Sequence, residues 1–338
     1  FFRLGVAYYN KGLDDKSVIA FSKAIELNPK NSEAHNNLAI VYYRLEMYPQ
    51  AIESWKKALG LNPRQPDIYS NLGNAYSKLN QHREAIDTWQ KILEITPDNS
   101  EVYFKLGSAY GKLDDLAKAI NCWEKCISLN PNDVEAHFNL GVAQYNSGNF
   151  QKAIGFWNTV REKRNEDADI CEKIGNAYCG LEDFNEAARY WNKAISYAGN
   201  DPHLHHKLGI AYSKMNKTQE AIFQWQKAVE LESDHFEAHL NLGIAYYNMQ
   251  KYDEALVEWE KAKSLNASDP DIYFKLGHVY RQKRKLDEAI INWKRTIELD
   301  PNNPNTHFVL GNAYDEKGML DDAIMSWRRV TDLAPNDV

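Results

Sequence analysis

Four cysteines in 338 residues are too few for a disulfide scaffold. Cys122 and Cys126 stand four apart and Cys171 and Cys179 eight apart, so neither pair has CxxC spacing, and plain thiols are expected. No apolar run approaches the roughly 18 residues that a membrane span needs. Mean hydropathy is −0.62, so membrane insertion is not expected. Positive charge is not in excess: 40 Lys and Arg against 47 Asp and Glu leave a net charge of −7, which argues against nucleic acid as the main partner. Also missing are a P-loop, GxGxxG, GxSxG and HExxH, so neither catalysis nor a cofactor is expected. The hydrophobic content of 43% excludes general disorder. The chain opens on Phe1 rather than Met and reads as a segment of a longer protein, which leaves the compartment open.

What is present is periodicity. The nine tryptophans, at 55, 89, 123, 157, 191, 225, 259, 293 and 327, are each 34 residues from the next. Taking Ser32 as position 1, repeats cover 1–31, 32–65, 66–99, 100–133, 134–167, 168–201, 202–235, 236–269, 270–303 and 304–337, with no insertion or deletion. Such a chain is one repeat array rather than two or three globular domains. Position 7 is Leu in nine repeats and Ile174 in the other; position 8 is Gly in nine and Ala39 in one. Position 11 is Tyr except at Gln144, position 20 is Ala except at Ser17, and position 24 is Phe21 and then Trp. Positions 4, 7, 8 and 11 share one helical face, and 20, 21, 24, 27 and 28 share another. Gly, Asn or Asp at position 15 suits the turn between two helices, and Pro at position 32 stops the second. Each repeat therefore reads as helix A, tight turn, helix B, short turn.

A mid-helix Gly costs roughly 1 kcal/mol relative to Ala. Nine of them at position 8 imply that a side chain there would block something, and helix B, carrying its small residue at position 20, is the expected obstacle. Tyr at 11 and Trp at 24 then fill the space between repeats, a packing role for the indoles.

Tyr69, Leu72, Gly73, Tyr76, Ala85, Trp89 and Pro97 of the third repeat show the pattern in full. It closely resembles the tetratricopeptide repeat, over the whole chain. The resemblance implies an all-α fold, a right-handed superhelical solenoid of antiparallel helix pairs with helix A lining the concave face. The departures are His or Cys171 at position 4 and Trp in place of the usual Phe or Tyr at 24.

The pattern is weakest at the junction of repeats five and six. Pro is absent from position 32 at Asn165, Gly199, Ser233 and Ala267, and Lys163 replaces an apolar residue at position 30. With Arg161 to Asp167 strongly charged and Gln144 nearby, looser packing is expected there. His203, His205, His206, His235 and His239 form a histidine-rich stretch. His205 and His239 both occupy position 4, should be neighbours, and invite a metal reading. His35, His137 and His307 occupy the same position, however, so these histidines are read as packing residues and no metal site is expected. Asn216 and Asn266 head weak glycosylation matches that matter only in a secreted protein.

In this family, positions 2, 5, 6, 9, 12 and 13 of helix A face the groove. Position 2 is acidic in seven repeats, and Glu101–Lys105, Asp169–Lys173 and Asp271–Lys275 are spaced as helical ion pairs. Asn37, Asn71, Asn139 and Asn241 at position 6 are poor helix formers that could hold an extended peptide backbone. Phe104 with Phe138, and Phe274 with Phe308, at position 5, and Tyr145 and Tyr247 at position 12, are candidate anchors, with Lys105 and Lys275 beside them. The family's chaperone-docking carboxylate clamp needs Lys at positions 5 and 2; neither occurs, so that clamp is absent. The expected function is non-catalytic scaffolding that takes a protein segment in the groove. Two alternatives remain: a structural assembly protein that uses its uncapped ends or outer face to organise itself or a large enzyme complex into oligomers, and the repeat arm of a larger enzyme such as a sugar transferase.

Overall fold

A computed structural model describes residues 1–164 and 166–334, so Asn165 at the charged junction, Pro335 and the last turn lie outside it. The described residues hold twenty α-helices. In chain order these are α1 (Phe2–Asn10), α2 (Asp14–Leu27), α3 (Ser32–Arg44), α4 (Tyr48–Leu61), α5 (Pro66–Lys78), α6 (His82–Leu93), α7 (Ser100–Lys112), α8 (Leu116–Leu129), α9 (Val134–Asn146) and α10 (Phe150–Lys163). Then follow α11 (Ala168–Gly180), α12 (Phe184–Ala198), α13 (Pro202–Lys214), α14 (Thr218–Leu231), α15 (Phe236–Asn248), α16 (Tyr252–Leu265), α17 (Pro270–Gln282), α18 (Leu286–Leu299), α19 (Pro304–Glu316) and α20 (Leu320–Leu333). Odd numbers are helix A and even numbers helix B of the ten repeats. Two compact units emerge, Phe1–Asn165 and Glu166–Val338. Within each, helix B packs on helix A of its own repeat and on helix A of the next.

Position 15 makes the tight turn in all ten repeats. Gly12, Glu46, Asn80, Asp114, Gly148, Glu182, Asn216, Gln250, Arg284 and Gly318 all have φ between 57° and 75°. This left-handed residue lets the amide of position 16 donate to the carbonyl of position 11, as Met47 does to Tyr42 at 2.8 Å and Lys285 to Tyr280 at 2.9 Å. Glu, Gln and Arg adopt the conformation too, at a steric cost that Gly avoids, so the backbone bond and the packing around it decide the turn.

Helix B mostly ends at position 30 with or without proline: at Lys163, Leu231 and Leu265 in repeats lacking Pro, and at Leu27, Leu61 and Leu129 in repeats carrying it, while α6 with Pro97 stops at Leu93 and α12 without Pro runs to Ala198. What sequence reading missed is the start of the next helix A. Position 34 is its N-cap, and the side chains of Asn31, Asn99, Asp133, Asp167, Asp201, Asp269 and Asn303 each accept a backbone N–H of the first turn. Gln65 and His235 hold the same position and give no side-chain cap.

The glycine argument needs correcting. Helices A and B do meet closely at positions 8 and 20, where the Ser17 hydroxyl donates to the Gly5 carbonyl at 2.9 Å. Yet the first thing a Cβ at position 8 would strike is the repeat's own indole: one added to Gly73 would overlap Trp89 Nε1, and one added to Gly243 would overlap Trp259 Nε1. The ring lies flat over the missing side chain. From there the N–H reaches the position 5 carbonyl, as Trp225 does at His206, Trp259 at Leu240 and Trp293 at Phe274, each at 3.2 Å. In repeat two, Ala39 takes the Gly position and Trp55 Nε1 donates to the Asn36 side chain instead, at 3.0 Å. Trp191 and Trp327 use the position 9 amides of Asn176 and Asn312. Trp123 Nε1 is buried with no hydrogen-bond partner among the described residues, and in that repeat Ser108 Oγ donates to the Phe104 carbonyl at 3.0 Å. The indoles are buried in the seams, apart from the half-buried Trp327.

The cysteines are free thiols; Cys126 and Cys171 are buried, Cys122 and Cys179 partly so. Burial, with the nearby Asp115, pushes the Cys122 thiol up to about 11, and burial with the Asp133 carboxylate takes Cys126 to about 12. Their thiolate fractions near neutrality are therefore small. At pH 8 a disulfide reagent is expected to label both more than roughly tenfold slower than free cysteine, and at the free rate in denaturant. Fast labelling of either in the native protein would contradict this packing.

Candidate functional site

Helix A residues at positions 5, 6, 9, 12 and 13 of consecutive repeats converge on shared hollows, one in each compact unit. In the first unit, Asn74, Ser77 and Lys78 of α5 and Phe104, Lys105, Ser108 and Lys112 of α7 line a cavity of about 390 Å³. Tyr43 and the edge of Trp89 complete it, leaving an apolar floor with three lysines around it. In the second unit, Ile210, Ser213 and Lys214 of α13 and Asn241, Ile244 and Asn248 of α15 line one of about 220 Å³.

The candidate residues divide into those on open walls and those already engaged. Phe104 is half-buried, packed on the core below and facing the first hollow. Lys105 Nζ pairs with Glu101 at 2.7 Å and donates to Ser70 Oγ of the preceding repeat at 3.0 Å. Phe138 lies under the Arg164 guanidinium, 5.5 Å from its ring centre. Phe274 packs edge-on to His278 at 4.5 Å, while Phe308 is 52% exposed. The two tyrosines do not stand free. Tyr145 contacts Phe150 and Trp157 at 5.3 and 5.8 Å, and Tyr247 contacts Tyr252 and Trp259 at 5.7 and 5.8 Å. An aromatic at position 17 joins Tyr at 12 to the indole at 24, and that pairing was visible in the sequence. Asn37, Asn71 and Asn139 are half-buried at position 6.

Of the expected helical ion pairs, Glu101–Lys105, Asp169–Lys173 and Asp271–Lys275 all form, at 2.7, 3.2 and 3.5 Å. Sequence reading missed a second pattern across the seams. Position 6 reaches position 5 of the preceding repeat, 35 residues back: Lys105 to Ser70, Lys207 to Glu172, and Asn241 Nδ2 to His206 Nε2 at 2.9 Å. The rungs fell outside a search at the repeat period of 34.

The histidines are not grouped as expected. His205 Nδ1 meets Gln224 Oε1 at 2.7 Å and His239 Nδ1 meets Glu258 Oε2 at 2.6 Å, each across its own repeat. The residues brought together are His203, Glu232 and His235, with the His206 ring 4.9 Å from that of His235. Burial, then the neighbouring His235, lowers the His206 imidazole to about 4, so it is neutral near pH 7.

At the charged junction, in the first unit, Arg164 lies 3.8 Å from Glu135. In the second, Glu166 accepts from Lys193 and Tyr197, both at 3.1 Å. Burial raises the Glu166 carboxyl, but these donors outweigh it and hold it below the usual range.

The "TPR repeat" family model matches residues 42–80, 73–114, 112–148, 213–250, 245–283 and 277–318, and "Tetratricopeptide repeat" models match 20–53, 1–31 and 304–337. The chain belongs to the tetratricopeptide repeat family. No curated protein sequence matches this tetratricopeptide chain. Among solved structures it is similar to MamA, 28% identical over 48% of this chain and 95% of that one, with a TM-score of 0.47. It is also similar to YrrB, described as a TPR protein with an unusual peptide-binding site, 28% identical over 55% of this chain and 96% of that one, TM-score 0.49. The Cut9–Hcn1 assembly of the APC/C is 18% identical over 88% of this chain and 58% of that one, TM-score 0.45. No helix among the described residues of the tetratricopeptide array is long and apolar enough to cross a membrane.

Proposed function

We propose that this tetratricopeptide array, read from its unbroken period as one solenoid over 1–338, is a non-catalytic scaffold that holds an extended segment of another protein along helix A. The observation that carries the reading is the hollow between α5 and α7, where Phe104 and Trp89 give an apolar floor and Lys78, Lys105 and Lys112 a basic rim. An apolar residue flanked by acidic ones fits such a site: the ring contributes burial, and the lysines contribute orientation and rate of encounter. Asn74 and the position 6 amides add donors and acceptors for a peptide backbone.

A peptide-display selection against the chain tests this. Selected sequences are expected to carry an apolar residue next to Asp or Glu. Phe104→Ala combined with Lys105→Glu is expected to weaken them by about tenfold or more, roughly 1.4 kcal/mol, with helical circular dichroism unchanged. Undiminished binding by the double variant removes the groove reading.

A second reading rests on two exposed apolar surfaces, one in each compact unit. Phe1, Leu4 and Ile19 border a cavity of about 630 Å³, with Ile19 69% exposed. Met325, 66% exposed, lies beside Arg328 and Arg329 at another of about 660 Å³. Two unlike apolar surfaces suit head-to-tail assembly. Light scattering that rises with concentration supports it, and a strict monomer disposes of it.

A further inference from the structure

Repeat seven departs from its neighbours at three positions, and the three side chains meet. Position 2 is acidic in seven repeats but is His203 here. Position 34 caps the next helix as Asn or Asp at seven boundaries but is His235 here, with no side-chain cap. Position 31, most often Asn, is Glu232. An antiparallel helix pair brings the start of α13 beside the end of α14, so one ligand atom from each of the three lies within 4.8 Å of the others.

Three buried polar atoms there make no hydrogen bond among the described residues. His235 is only 4% exposed, and neither ring nitrogen makes a hydrogen bond among the described residues. The Glu237 carboxylate lies 3.4 Å from its Nδ1, too poorly aligned to count as one. Glu232 Oε2 is likewise buried and unpartnered. A buried imidazole with both nitrogens unsatisfied is costly, and putting His where Asn or Asp would cap the helix gives up a further contribution. His203, by contrast, is exposed, with its ring 5.1 Å from that of His235. Ligands on a tetrahedral ion at about 2.0–2.1 Å sit about 3.3 Å apart, so these atoms, within 4.8 Å of one another, need only draw in slightly to close the set.

We infer that His203, Glu232 and His235 form a site for a divalent transition ion of the zinc class, with water in the fourth position. Two neutral imidazoles and one carboxylate are the donor types that suit such an ion better than calcium or magnesium. Glu237 stands where an outer carboxylate would orient the His235 ring. Bound metal would tie the first turn of α13, the end of α14 and the start of α15 together, stiffening the passage from repeat seven to repeat eight.

The test uses the whole chain, freed of any affinity tag and stripped with chelator, titrated with zinc chloride alone at pH 7.5 in a buffer that does not bind metal. One zinc per chain and a higher Tm are expected. Cobalt chloride is expected to give the visible absorption bands of a low-coordinate site. His203→Ala removes an exposed side chain and should leave the apo Tm unchanged while weakening zinc by at least about tenfold. Glu232→Gln should do the same. His235→Asn restores the usual cap and should abolish the site while raising the apo Tm. No zinc binding by the parent chain, or undiminished binding in His203→Ala, overturns the inference.

Discussion

Trp293→Ala is expected to lower stability by about 3–5 kcal/mol, the cost of emptying a buried aromatic site. Trp293 is wholly buried, donates to the Phe274 carbonyl at 3.2 Å and packs against the His278 ring at 5.4 Å. In a linear array each repeat contacts only its neighbours, so the loss should stay local. Urea unfolding followed by circular dichroism is expected to change from one transition to two, with early hydrogen exchange confined to α17, α18 and α19. Trp327→Ala, at a half-buried indole, should cost clearly less. Equal losses at the two sites would mean that the seams are not where the indoles act.

Gly73→Ala is expected to destabilise by about 2 kcal/mol, although alanine is the better helix former by about 1 kcal/mol. The new Cβ would overlap Trp89 Nε1 and sit 2.6 Å from Cδ1, and the indole is held by the next repeat and cannot simply withdraw. Repeat two contains the remedy. There Ala39 coexists with Trp55 because Asn36 takes the indole N–H. Adding Ser70→Asn to Gly73→Ala should therefore recover part of the loss, as denaturant midpoints would show. A double variant no better than the single one would mean that Asn36 is incidental to the alanine in repeat two.

The fold was legible because its signals recur. A period of 34 marked by Trp, with Gly at 8 and Ala at 20, pointed to one helix pair per repeat, and the described residues hold twenty helices. The cause of the glycines was not legible. Sequence spacing shows that positions 8 and 20 are apposed, but the rotamer that lays Trp89 across Gly73 is a packing outcome. The proline signal was over-read, since α12, α14 and α16 stop without it. The left-handed turn was legible where Gly or Asn stood and hidden where Glu46, Gln250 or Arg284 took the same backbone shape. On the helix A faces, Phe104 and Lys105, picked out by residue type and position, line the first hollow. The tyrosines at position 12 looked exposed only because position 17 was not read with them. His205 and His239 were paired by counting repeats, whereas Glu232 and His235 meet His203 inside a single repeat, where the helix hairpin rather than the period sets proximity.

The seam contacts bear on how such a chain could grow or shrink by recombination. Lys207 neutralises Glu172 and Asn241 holds His206, each reaching back into the repeat before its own. Excising residues 202–235 would preserve the 34-residue phase and every helix boundary. It would nonetheless strand Glu172 without its cation and leave Asn241 facing that carboxylate instead of an imidazole. The modules are thus not interchangeable bricks: their order is written in pairwise matches, so a gene losing one copy would need a compensating change next door.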